Sequence, residues 1–442
     1  MIDVDYLVVG AGAMGMAFVD TLLTESDATV AIVDRYQQPG GHWTIAYPYV
    51  RLHQPSAFYG VNSRELGSGT ADEVGWNAGL DELASGPEVC AYFDQVMRQR
   101  FLPSGRVAYF PMSEYRGAGR FHSLVTGEKF EVRARRIVDA TYMKVSVPAM
   151  RPPAYEVAPG ARCVTPNALA RTDSPADHYT VVGGGKTGID ACLWLLAQGA
   201  DPDRLTWIVP RDAWLLNRAN IQQGPRHADA IGRMMAARAQ AVVDATSRHD
   251  LFDRLEACEG LMRLSQDVRP TAYRCATVTR LELGQLQRIK DVVRMGRVRK
   301  VGVDEIVLDH GTIPTTPGTV HVDCTADGLA PRPVVPVFAG DHLTLQAVLV
   351  CQQVASAAMI AHVEATRTDD ETKNELCAPI PHPSIDAHWI TTTRASVAAL
   401  RRWQRDPDQL DWLVASRLVP NFGGRAPDEL LRVQQEKLAA LA

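Results

Sequence analysis

The chain has 442 residues, of which 46% are hydrophobic and 22% charged, and its formal net charge is −5 at pH 7. This composition is that of an ordinary globular protein, and the length allows two or three domains with substantial cores. The negative charge and the scattered lysines and arginines give no basic field for nucleic acid or an anionic membrane surface. No apolar run approaches the ~20 residues that a membrane-spanning helix needs. We therefore expect a cytoplasmic protein with neither a nucleic-acid nor a membrane partner.

The eight cysteines lie far apart, and no two of them form a Cys-x-x-Cys pair. Such spacing is typical of reduced thiols in the cytosol, and it argues against a zinc ribbon or a thiol–disulfide mechanism. We expect free thiols and no metal site. The cysteines are Cys90, Cys163, Cys192, Cys258, Cys275, Cys324, Cys351 and Cys377.

The first informative segment is a β-α-β unit at the start of the chain. Tyr6–Val9 is an apolar run that predicts a buried strand, and residues 10–15 then read Gly-Ala-Gly-Ala-Met-Gly. Glycines at such a turn let backbone N–H groups approach a pyrophosphate at the positive end of the following helix. A helix is predicted to Leu23 and a second strand over Thr29–Val33. Asp34 ends that strand, where an acidic residue can accept hydrogen bonds from a ribose 2′-hydroxyl.

The next part of the chain carries weaker patterns. Apolar residues at helical spacing predict one amphipathic helix, and short apolar runs predict strands after it. A proline-rich stretch, residues 148–159, then indicates a crossing between domains. The predicted helix spans residues 89–101, and the predicted strands span residues 106–109, 121–126, 129–133 and 136–141.

A second glycine pattern follows another predicted strand. After Thr180-Val-Val, residues 183–188 read Gly-Gly-Gly-Lys-Thr-Gly, and a helical apolar pattern runs to Gly199. The next predicted strand ends at Arg211 rather than at an acid, and a guanidinium there can pair with a 2′-phosphate, which favours NADPH over NADH. The alternative is that Asp212, which follows directly, neutralises Arg211.

Two such loops in one chain predict two nucleotides held face to face, whereas one alone would be weak evidence. The Lys-Thr pair at residues 186–187 does not make this an ATPase loop. The GxxxxGK[ST] motif would require glycine at position 180, where Thr180 stands.

The remaining segments complete the predicted organisation. Residues 226–265 predict two inserted helices, which either cover a sheet or form a substrate lid. Residues 296–308 predict a hairpin-like strand pair, and residues 320–325 a second crossing strand. The run from Val335 to Asp341 is predicted to return the chain to the first domain, ahead of an apolar helix over about 345–362.

We therefore predict an α/β protein with two Rossmann-like dinucleotide-binding domains, inserted helices and a helical C-terminal tail. The first domain is predicted to be discontinuous, at residues 1–155 and 325–365. The second is predicted at residues 165–322, with its helical insertion at about 226–265, and the tail at residues 366–442.

These residues resemble the flavin-dependent oxidoreductases with two dinucleotide-binding domains, and within them the flavin-containing monooxygenase-like branch. The similarity covers roughly residues 4–215 and 320–365. Asp34 is followed by a Gly-Gly-x-Trp element at residues 40–43, and residues 47–56 are similar to the family's stretch near the flavin ring. Gly340-Asp341 resembles the element whose aspartate binds the ribityl or pyrophosphate part of FAD.

The resemblance implies that the first glycine loop binds FAD and the second binds NADPH. His53 falls where relatives carry a polar residue that touches the flavin, so it is the one catalytic candidate; the equally weighted alternative is a buried, satisfied histidine. The implied cofactor-binding residues are Gly10, Gly12, Ala13, Met14, Gly15, Asp34, Arg35, Gly41, His42, Trp43, Arg51, His53, Ala140, Thr141, Gly183, Gly185, Lys186, Thr187, Gly188, Arg211, Gly340 and Asp341.

The implied activity is that of an FAD- and NADPH-dependent single-component monooxygenase. It would use O₂ to oxygenate a small or medium organic substrate through a C4a-peroxyflavin. A homo-oligomer is compatible with the sequence. Two features depart from the family pattern: Tyr142 replaces a customary glycine, and residues 158–167 lack the usual phenylalanine and histidine. Two alternatives therefore stay open, a flavin reductase, dehydrogenase or oxidase without oxygen insertion, and a flavin-binding redox sensor or partner-binding protein without turnover.

Overall fold

The computed structural model describes residues 2–172, 176–326, 328, 331–419 and 425–442. These residues form short strands in four sheets, with helices on the faces of the two larger sheets. The strands are β1 (Ile2–Val9), β2 (Val30–Val33), β3 (Val107–Phe110), β4 (Ser113–Gly117), β5 (Arg120–Ser123), β6 (Lys129–Asp139), β7 (Glu156–Val157), β8 (Arg162–Val164), β9 (His178–Val182), β10 (Leu205–Ile208), β11 (Ala213–Asn217), β12 (Ala272–Val278), β13 (Asp291–Val293), β14 (Val298–Val301), β15 (Glu305–Leu308), β16 (Gly311–Pro314), β17 (Thr319–Asp323), β18 (Phe338–Ala339) and β19 (His342–Thr344).

The α-helices lie between and after these strands. One π-helical turn at Met97–Phe101 extends the second helix. The helices are α1 (Ala13–Glu25), α2 (Gly86–Val96), α3 (Pro166–Leu169), α4 (Lys186–Ala197), α5 (Ala228–Asp244), α6 (Arg248–Ala257), α7 (Arg280–Leu286), α8 (Gln353–Thr366), α9 (Asp370–Leu376), α10 (Asp386–Trp403), α11 (Pro407–Ala415) and α12 (Asp428–Leu441).

The first large sheet has the order β18-β19-β6-β1-β2-β3. Strand β5 extends it by pairing antiparallel with β6, and β4 pairs antiparallel with β5. Its central strands β19, β6, β1, β2 and β3 are parallel. Every residue of β2 is buried, as expected for a parallel strand covered on both faces. Helices α1 and α8 pack together against this sheet, and both are apolar nearly all round because they are buried on most sides.

The second large sheet repeats the parallel design of the first. Its order is β13-β10-β9-β17-β8, and all its strands are parallel. The first strand of each glycine unit is central, its second strand lies on one side, and a late crossing strand, β6 or β17, lies on the other. The predicted fold class, with two Rossmann-like units, is confirmed.

Two smaller sheets and the inserted helices complete the second unit. Strands β14, β15 and β16 form the predicted hairpin with one further strand, and β7 pairs with β14 in parallel. Ser247 begins α6 as its N-cap, because its hydroxyl accepts the N–H of Asp250. Among the tail helices, α10 lies beside β12 and α12 beside α5, so the tail covers the inserted helices.

Two predicted boundaries are wrong. Residues 129–133 and 136–141 were expected to be separate strands, but β6 is continuous, because exposed Arg133 and Arg135 alternate with less exposed residues as the pleat requires. The helix expected from about residue 345 begins only at Gln353. Before it, the Ser356 hydroxyl accepts the N–H groups of residues 348 and 349, and holds them in an irregular loop.

The expectation of eight free thiols is also wrong. Cys275 and Cys351 form a disulfide, although 76 residues separate them. Only the tertiary fold brings these two sulfurs together, so their spacing in sequence carried no signal. The other six cysteines are free.

No helix in the described ranges is long and apolar enough to cross a membrane.

Candidate functional site

Both glycine loops open on one cavity of about 1500 Å³. We call residues 10–15 the first glycine loop and residues 183–188 the second. Each lies at the carboxyl end of its central strand, where open parallel sheets bind their ligands. The cavity is larger than the ~300–1,000 Å³ typical of a small-molecule site, so it has room for more than one ligand.

The first glycine loop needs its glycines for backbone reasons. Gly10 has a φ of +107°, and a Cβ there would press on the side chain of Thr141. A Cβ on Gly15 would overlap the carbonyl oxygen of Gly10, so Gly15 lets helix and strand pack closely. Helix α1 begins after Gly12, and no side chain caps it. Its first N–H groups are therefore free to bind an anion in the cavity.

The second glycine loop repeats this geometry almost position for position. Gly183 has a φ of +126°, and a Cβ there would lie 3.1 Å from the carbonyl oxygen of Cys324. A Cβ on Gly188 would overlap the carbonyl oxygen of Gly183, as Gly15 and Gly10 do in the first loop. Helix α4 begins after Gly185, again without a side-chain cap. This second helix end can also bind an anion.

Asp34 closes the first glycine loop from the neighbouring strand. Its carboxylate accepts the N–H of Ala11 at 2.5 Å and the N–H of Tyr36 at 2.7 Å. Burial raises the pKa of Asp34 from its ordinary value. One oxygen atom takes each N–H, so both oxygens keep a lone pair for a ribose hydroxyl. Arg35 is exposed and lines the same cavity.

The Gly-Gly-x-Trp element packs against the first glycine loop, where the N–H of Gly40 donates to the carbonyl oxygen of Ala11 at 2.9 Å. Gly41 has a φ of +58°, and a Cβ there would come within 3.0 Å of the Cα of Gly12. Trp43 donates its indole N–H to the hydroxyl of Tyr59 at 2.7 Å, so this donor is already used and the indole offers a ligand only its flat surface. His42 stacks on Trp43 with the ring centroids 5.4 Å apart, and burial lowers its pKa to about 4.

His53 lies in the cavity wall between the two loops. Burial, with help from the positive charges of Lys186 and Arg218, lowers its pKa to about 3, so the imidazole is neutral near pH 7. Its Nδ1 is buried and has no hydrogen-bond partner among the residues described. Such an orphan is uncommon for a purely structural histidine, so this histidine retains hydrogen-bonding capacity for a ligand.

Arg218 holds the His53 segment in place. It is buried, and its guanidinium donates to the carbonyl oxygen of His53 at 3.0 Å, to Asn77 and to Glu282. The contact joins the segment directly after β11 to the segment that carries His53.

Some of the charged side chains around the second glycine loop form ion pairs, and others do not. Lys186 pairs with Asp190, which also accepts the hydroxyl of Tyr47 at 2.7 Å. Asp212 is buried, and its carboxylate accepts hydrogen bonds from Nε and Nη2 of Arg294, at 2.8 and 3.0 Å. The alternative that Asp212 neutralises Arg211 is therefore wrong. Arg211 is exposed at the cavity and, within the described part of the chain, has no ion-pair partner.

Most of the predicted residues meet at the cavity. Arg51 is exposed at its rim, with its nearest carboxylate, that of Asp72, 3.9 Å away. Gly15 and Gly188 do not line the cavity, and they act through the close packing of helix on strand. The predicted residues that line the cavity are Gly10, Gly12, Ala13, Met14, Asp34, Arg35, Gly41, His42, Trp43, Arg51, His53, Ala140, Thr141, Gly183, Gly185, Lys186, Thr187 and Arg211.

The structure does not place Gly340 and Asp341 at this site. They form the turn between β18 and β19, where the carbonyl oxygen of Asp341 accepts the N–H of Ile137. Strand β19 is parallel to β6 and runs from this turn towards the cavity, so the turn lies behind the cavity-side ends of these strands. The Asp341 side chain is 72% exposed and contacts His342. A short strand and an irregular loop separate this turn from α8, and neither residue is among those that line the cavity.

Several cavity residues gave no signal in the sequence. Gln54 and Gln352 exchange two amide hydrogen bonds, at 3.2 and 3.0 Å, across the start of α8. Gln353 contacts His382, whose pKa is lowered by burial to about 4. Asn167 does not line the cavity, but it donates to the carbonyl oxygens of residues 45 and 46, and so ties α3 to the segment just after the Gly-Gly-x-Trp element. Their partners are distant in sequence, so no spacing rule selects them.

Solved structures share this architecture. An open cyclohexanone monooxygenase matches 100% of this chain and 98% of its own, with a TM-score of 0.51 and 14% sequence identity. The protein OTEMO in complex with FAD and NADP matches 82% of this chain and 83% of its own, with a TM-score of 0.50 and 14% identity. The chain has the fold of these flavin monooxygenases, as the resemblance in sequence implied.

Closer relatives have no assigned activity. An uncharacterized protein of Mycobacterium tuberculosis is 58% identical over 417 residues, which are 94% of this chain and 78% of the relative. An uncharacterized protein of Mycobacterium bovis matches to the same extent. The chain belongs to the family of these mycobacterial proteins. No protein-family model matches it.

Proposed function

We propose that this protein is an oxidoreductase that uses FAD and NADPH, and that it acts as a single-component flavin monooxygenase on a small or medium organic substrate. The observation that carries the proposal is the pair of glycine loops opening on one cavity. Two uncapped helix N-termini directed at one space suit two pyrophosphates better than one. The solved flavin monooxygenases of the same fold support the pairing of cofactors.

FAD is assigned to the first glycine loop. A Cβ at Gly12 would approach only the backbone of Gly41, so both glycines leave room for a diphosphate. Asp34 would accept hydrogen bonds from the adenosine ribose hydroxyls, and its negative charge would repel a 2′-phosphate. The flat face of Trp43 and the unpartnered Nδ1 of His53 would border the flavin ring.

NADPH is assigned to the second glycine loop. Arg211 stands where the 2′-substituent of the adenosine ribose lies in such folds, and its guanidinium is not neutralised by Asp212. A free guanidinium binds a phosphate bidentately, which an NADH ribose cannot match.

The rest of the cavity is assigned to the substrate. The wall beyond His53 is largely apolar and comes from β12, from the segment after α8 and from the tail, for example Tyr273, Ile380, Trp403 and Val419. Apolar walls orient an organic molecule and exclude water, which protects a reactive oxygen species from hydrolysis or loss.

The bound flavin would supply the redox chemistry, taking a hydride from the nicotinamide and activating O₂. The chain's own residues bind and orient. The glycine loops hold the diphosphates, Arg218 fixes the His53 segment, and neutral His53 offers a hydrogen bond at the ring edge without adding a positive charge. No protein acid or base is required for the transfer itself.

An absorption spectrum, followed by anaerobic titration with NADPH and then by reaction under ¹⁸O₂ with a panel of small ketones, amines and sulfides, tests the proposal. We expect a yellow protein, bleaching by NADPH more readily than by NADH, and a product that carries ¹⁸O. Bleaching without an oxygenated product would indicate a reductase or oxidase instead. Bound FAD that neither NADPH nor NADH reduces would indicate a redox sensor or partner-binding protein.

A further inference from the structure

The Cys275–Cys351 disulfide joins the two halves of the molecule at the cavity. Cys275 lies in β12, which pairs with β11 beside the second sheet, and Cys351 lies between β19 of the first sheet and α8. Both residues line the cavity that the glycine loops share. The bond is therefore part of the site rather than a brace elsewhere on the surface.

The neighbours of the disulfide connect it to the predicted flavin side of the cavity. Gln352 follows Cys351 directly and exchanges two hydrogen bonds with Gln54. Gln54 in turn follows His53, the candidate at the flavin edge. Two residues after Cys351, α8 begins at Gln353, whose side-chain oxygen is buried without a partner in the described residues. Cys351 is thus one residue away from a hydrogen-bonded pair that reaches the residue next to His53, and all four residues line the same cavity.

The backbone at both ends of the disulfide is held in an unusual conformation. Cys275 has a φ of +55°, and Val350, next to Cys351, has a φ of +50°. Residues other than glycine avoid this region, and those that occupy it concentrate at functional sites. Strand β11 also shifts register between Trp214 and Leu216, opposite the part of β12 that carries Cys275.

The other cysteines near the core do not compete for this chemistry. Burial raises the pKa of Cys192, Cys324 and Cys377 above the ordinary thiol value. A thiol that stays protonated is a poor nucleophile toward a disulfide. Cys324 also lines the cavity, but its protonated thiol would not exchange readily with the Cys275–Cys351 bond.

We propose that Cys275–Cys351 is a redox-active disulfide that accepts an electron pair from reduced flavin in the same cavity. The inference rests on the proposed function, because that function supplies the electrons. The S–S bond breaks, the two sulfurs take up two electrons and two protons, and two thiols form. Reduced anionic flavin gives the two electrons and one of the protons, the second proton comes from solvent, and oxidised FAD is regenerated. After a second NADPH reduces the flavin again, the protein stores two electron pairs, one on the flavin and one on the sulfurs.

Electron counting tests this inference. In an anaerobic NADPH titration, the FAD-loaded wild type should consume about two equivalents per flavin before it is fully reduced, since the disulfide is a two-electron couple. The variants Cys275→Ser and Cys351→Ser should consume about one. The matched control is Cys258→Ser, because Cys258 is a free cysteine directly after α6 that does not line the cavity. This variant should consume about two equivalents.

Thiol labelling gives a readout that does not depend on turnover. After the titration, alkylation with N-ethylmaleimide and peptide mass mapping should find Cys275 and Cys351 newly labelled. Before it, the two peptides should run as one disulfide-linked species, in the apoprotein as well. Dithiothreitol treatment of the apoprotein serves as the flavin-free arm. Opening by dithiothreitol alone, with the pair still joined after full flavin reduction, would overturn the inference.

The outcomes separate this inference from the proposed function. If NADPH does not bleach the bound flavin, the nicotinamide assignment fails, and photoreduction of the flavin with EDTA still delivers electrons to the disulfide. If the wild type takes one equivalent and the pair stays joined, the inference fails while the function stands. A protein that binds no FAD overturns both. If one serine variant does not fold, the other serine variant gives the same count.

Discussion

The two glycine loops have nearly the same backbone geometry, yet the strand beside each loop is followed by a residue of opposite charge. In each, a glycine with positive φ packs on a crossing strand and a third glycine lets the helix touch the strand. They differ in the residue after the second strand, where the first has Asp34 and the second has Arg211. Under the proposed function, one backbone scaffold would serve two nucleotides, and a single position beside it would select between a bare ribose and a ribose phosphate.

The two loops also differ in how much protein surrounds them. A Cβ at Gly12 would contact the backbone of Gly41 at 3.7 Å, whereas a Cβ at Gly185 would meet nothing within 4 Å. Helix α1 is buried along most of its length by α8, while Gly185 is exposed. Under the proposed function, we therefore expect the first loop to retain its ligand and the second to exchange it. Substitutions in each loop can test this difference.

The largest expected effect is at Gly12. Gly12→Val would place two methyl groups between the first glycine loop and Gly41, in the space assigned to the diphosphate. We expect FAD affinity to fall by about 100-fold or more, which is ~2.7 kcal/mol, and the protein to purify colourless. Absorbance at the flavin band against protein concentration measures it. Gly284→Ala, at an open position of α7, is the control that should remain yellow. A fully flavin-loaded Gly12→Val protein would refute the FAD assignment.

The equivalent change in the second loop should separate the two sites. Gly185→Val would project into open cavity space rather than against the protein, so the fold and the yellow colour should persist. Affinity for NADPH should fall by about tenfold or more, which is ~1.4 kcal/mol, with the same loss for NADH because both share the diphosphate. Flavin bleaching against nicotinamide concentration under anaerobic conditions measures both. Loss of FAD from this variant would contradict the division of labour between the loops.

Arg211 tests the charge that distinguishes the loops. Arg211→Ala should cost ~1–3 kcal/mol of NADPH affinity, the range for hydrogen bonds to a charged group, and leave NADH almost unchanged. The matched control is Arg204→Ala. Arg204 is exposed just before β10, the strand that precedes Arg211, but it does not line the cavity. Dissociation constants for both nucleotides are compared in all three proteins. Equal losses for NADPH and NADH in Arg211→Ala would remove the 2′-phosphate interpretation.

Local sequence patterns predicted the parts of the fold that rest on local physics. The glycine loops, the strands before them and the hairpin at residues 298–308 follow from turn chemistry and short-range hydrophobic patterns. The site residues within these loops could be placed from the sequence for the same reason. Tertiary contacts decided what the patterns missed. The N-terminal extension of β1, for example, pairs Ile2 with Val132, and this pairing keeps β6 continuous through its arginines.

The failures share a cause in long-range structure. Asp341 was assigned to the cofactor because a glycine-aspartate pair after an apolar run resembles a binding element, but β19 carries the chain onward before the cavity is reached. The disulfide and the Gln54–Gln352 pair join residues 76 and 298 positions apart. No periodicity in a single sequence encodes such distances, so the sequence could predict the two loops but not the wall between them.

The smallest expected effect is at His53, which lies in the cavity wall. Lys186 of the second loop is one of the charges that lower the pKa of His53 to about 3, so this residue links the two loops. The unfolded chain binds a proton at this histidine below pH ~6.5, whereas the folded chain does not until about pH 3. The folded protein therefore loses stability as the pH falls from about 6.5 towards 3. His53→Gln should relieve this loss by on the order of 1–2 kcal/mol at pH 5 relative to pH 7. Urea unfolding at both pH values measures it, with the exposed His249→Gln as control. If the two variants depend on pH alike, His53 is not held neutral by the folded cavity, and the second loop does not act on the flavin side through charge.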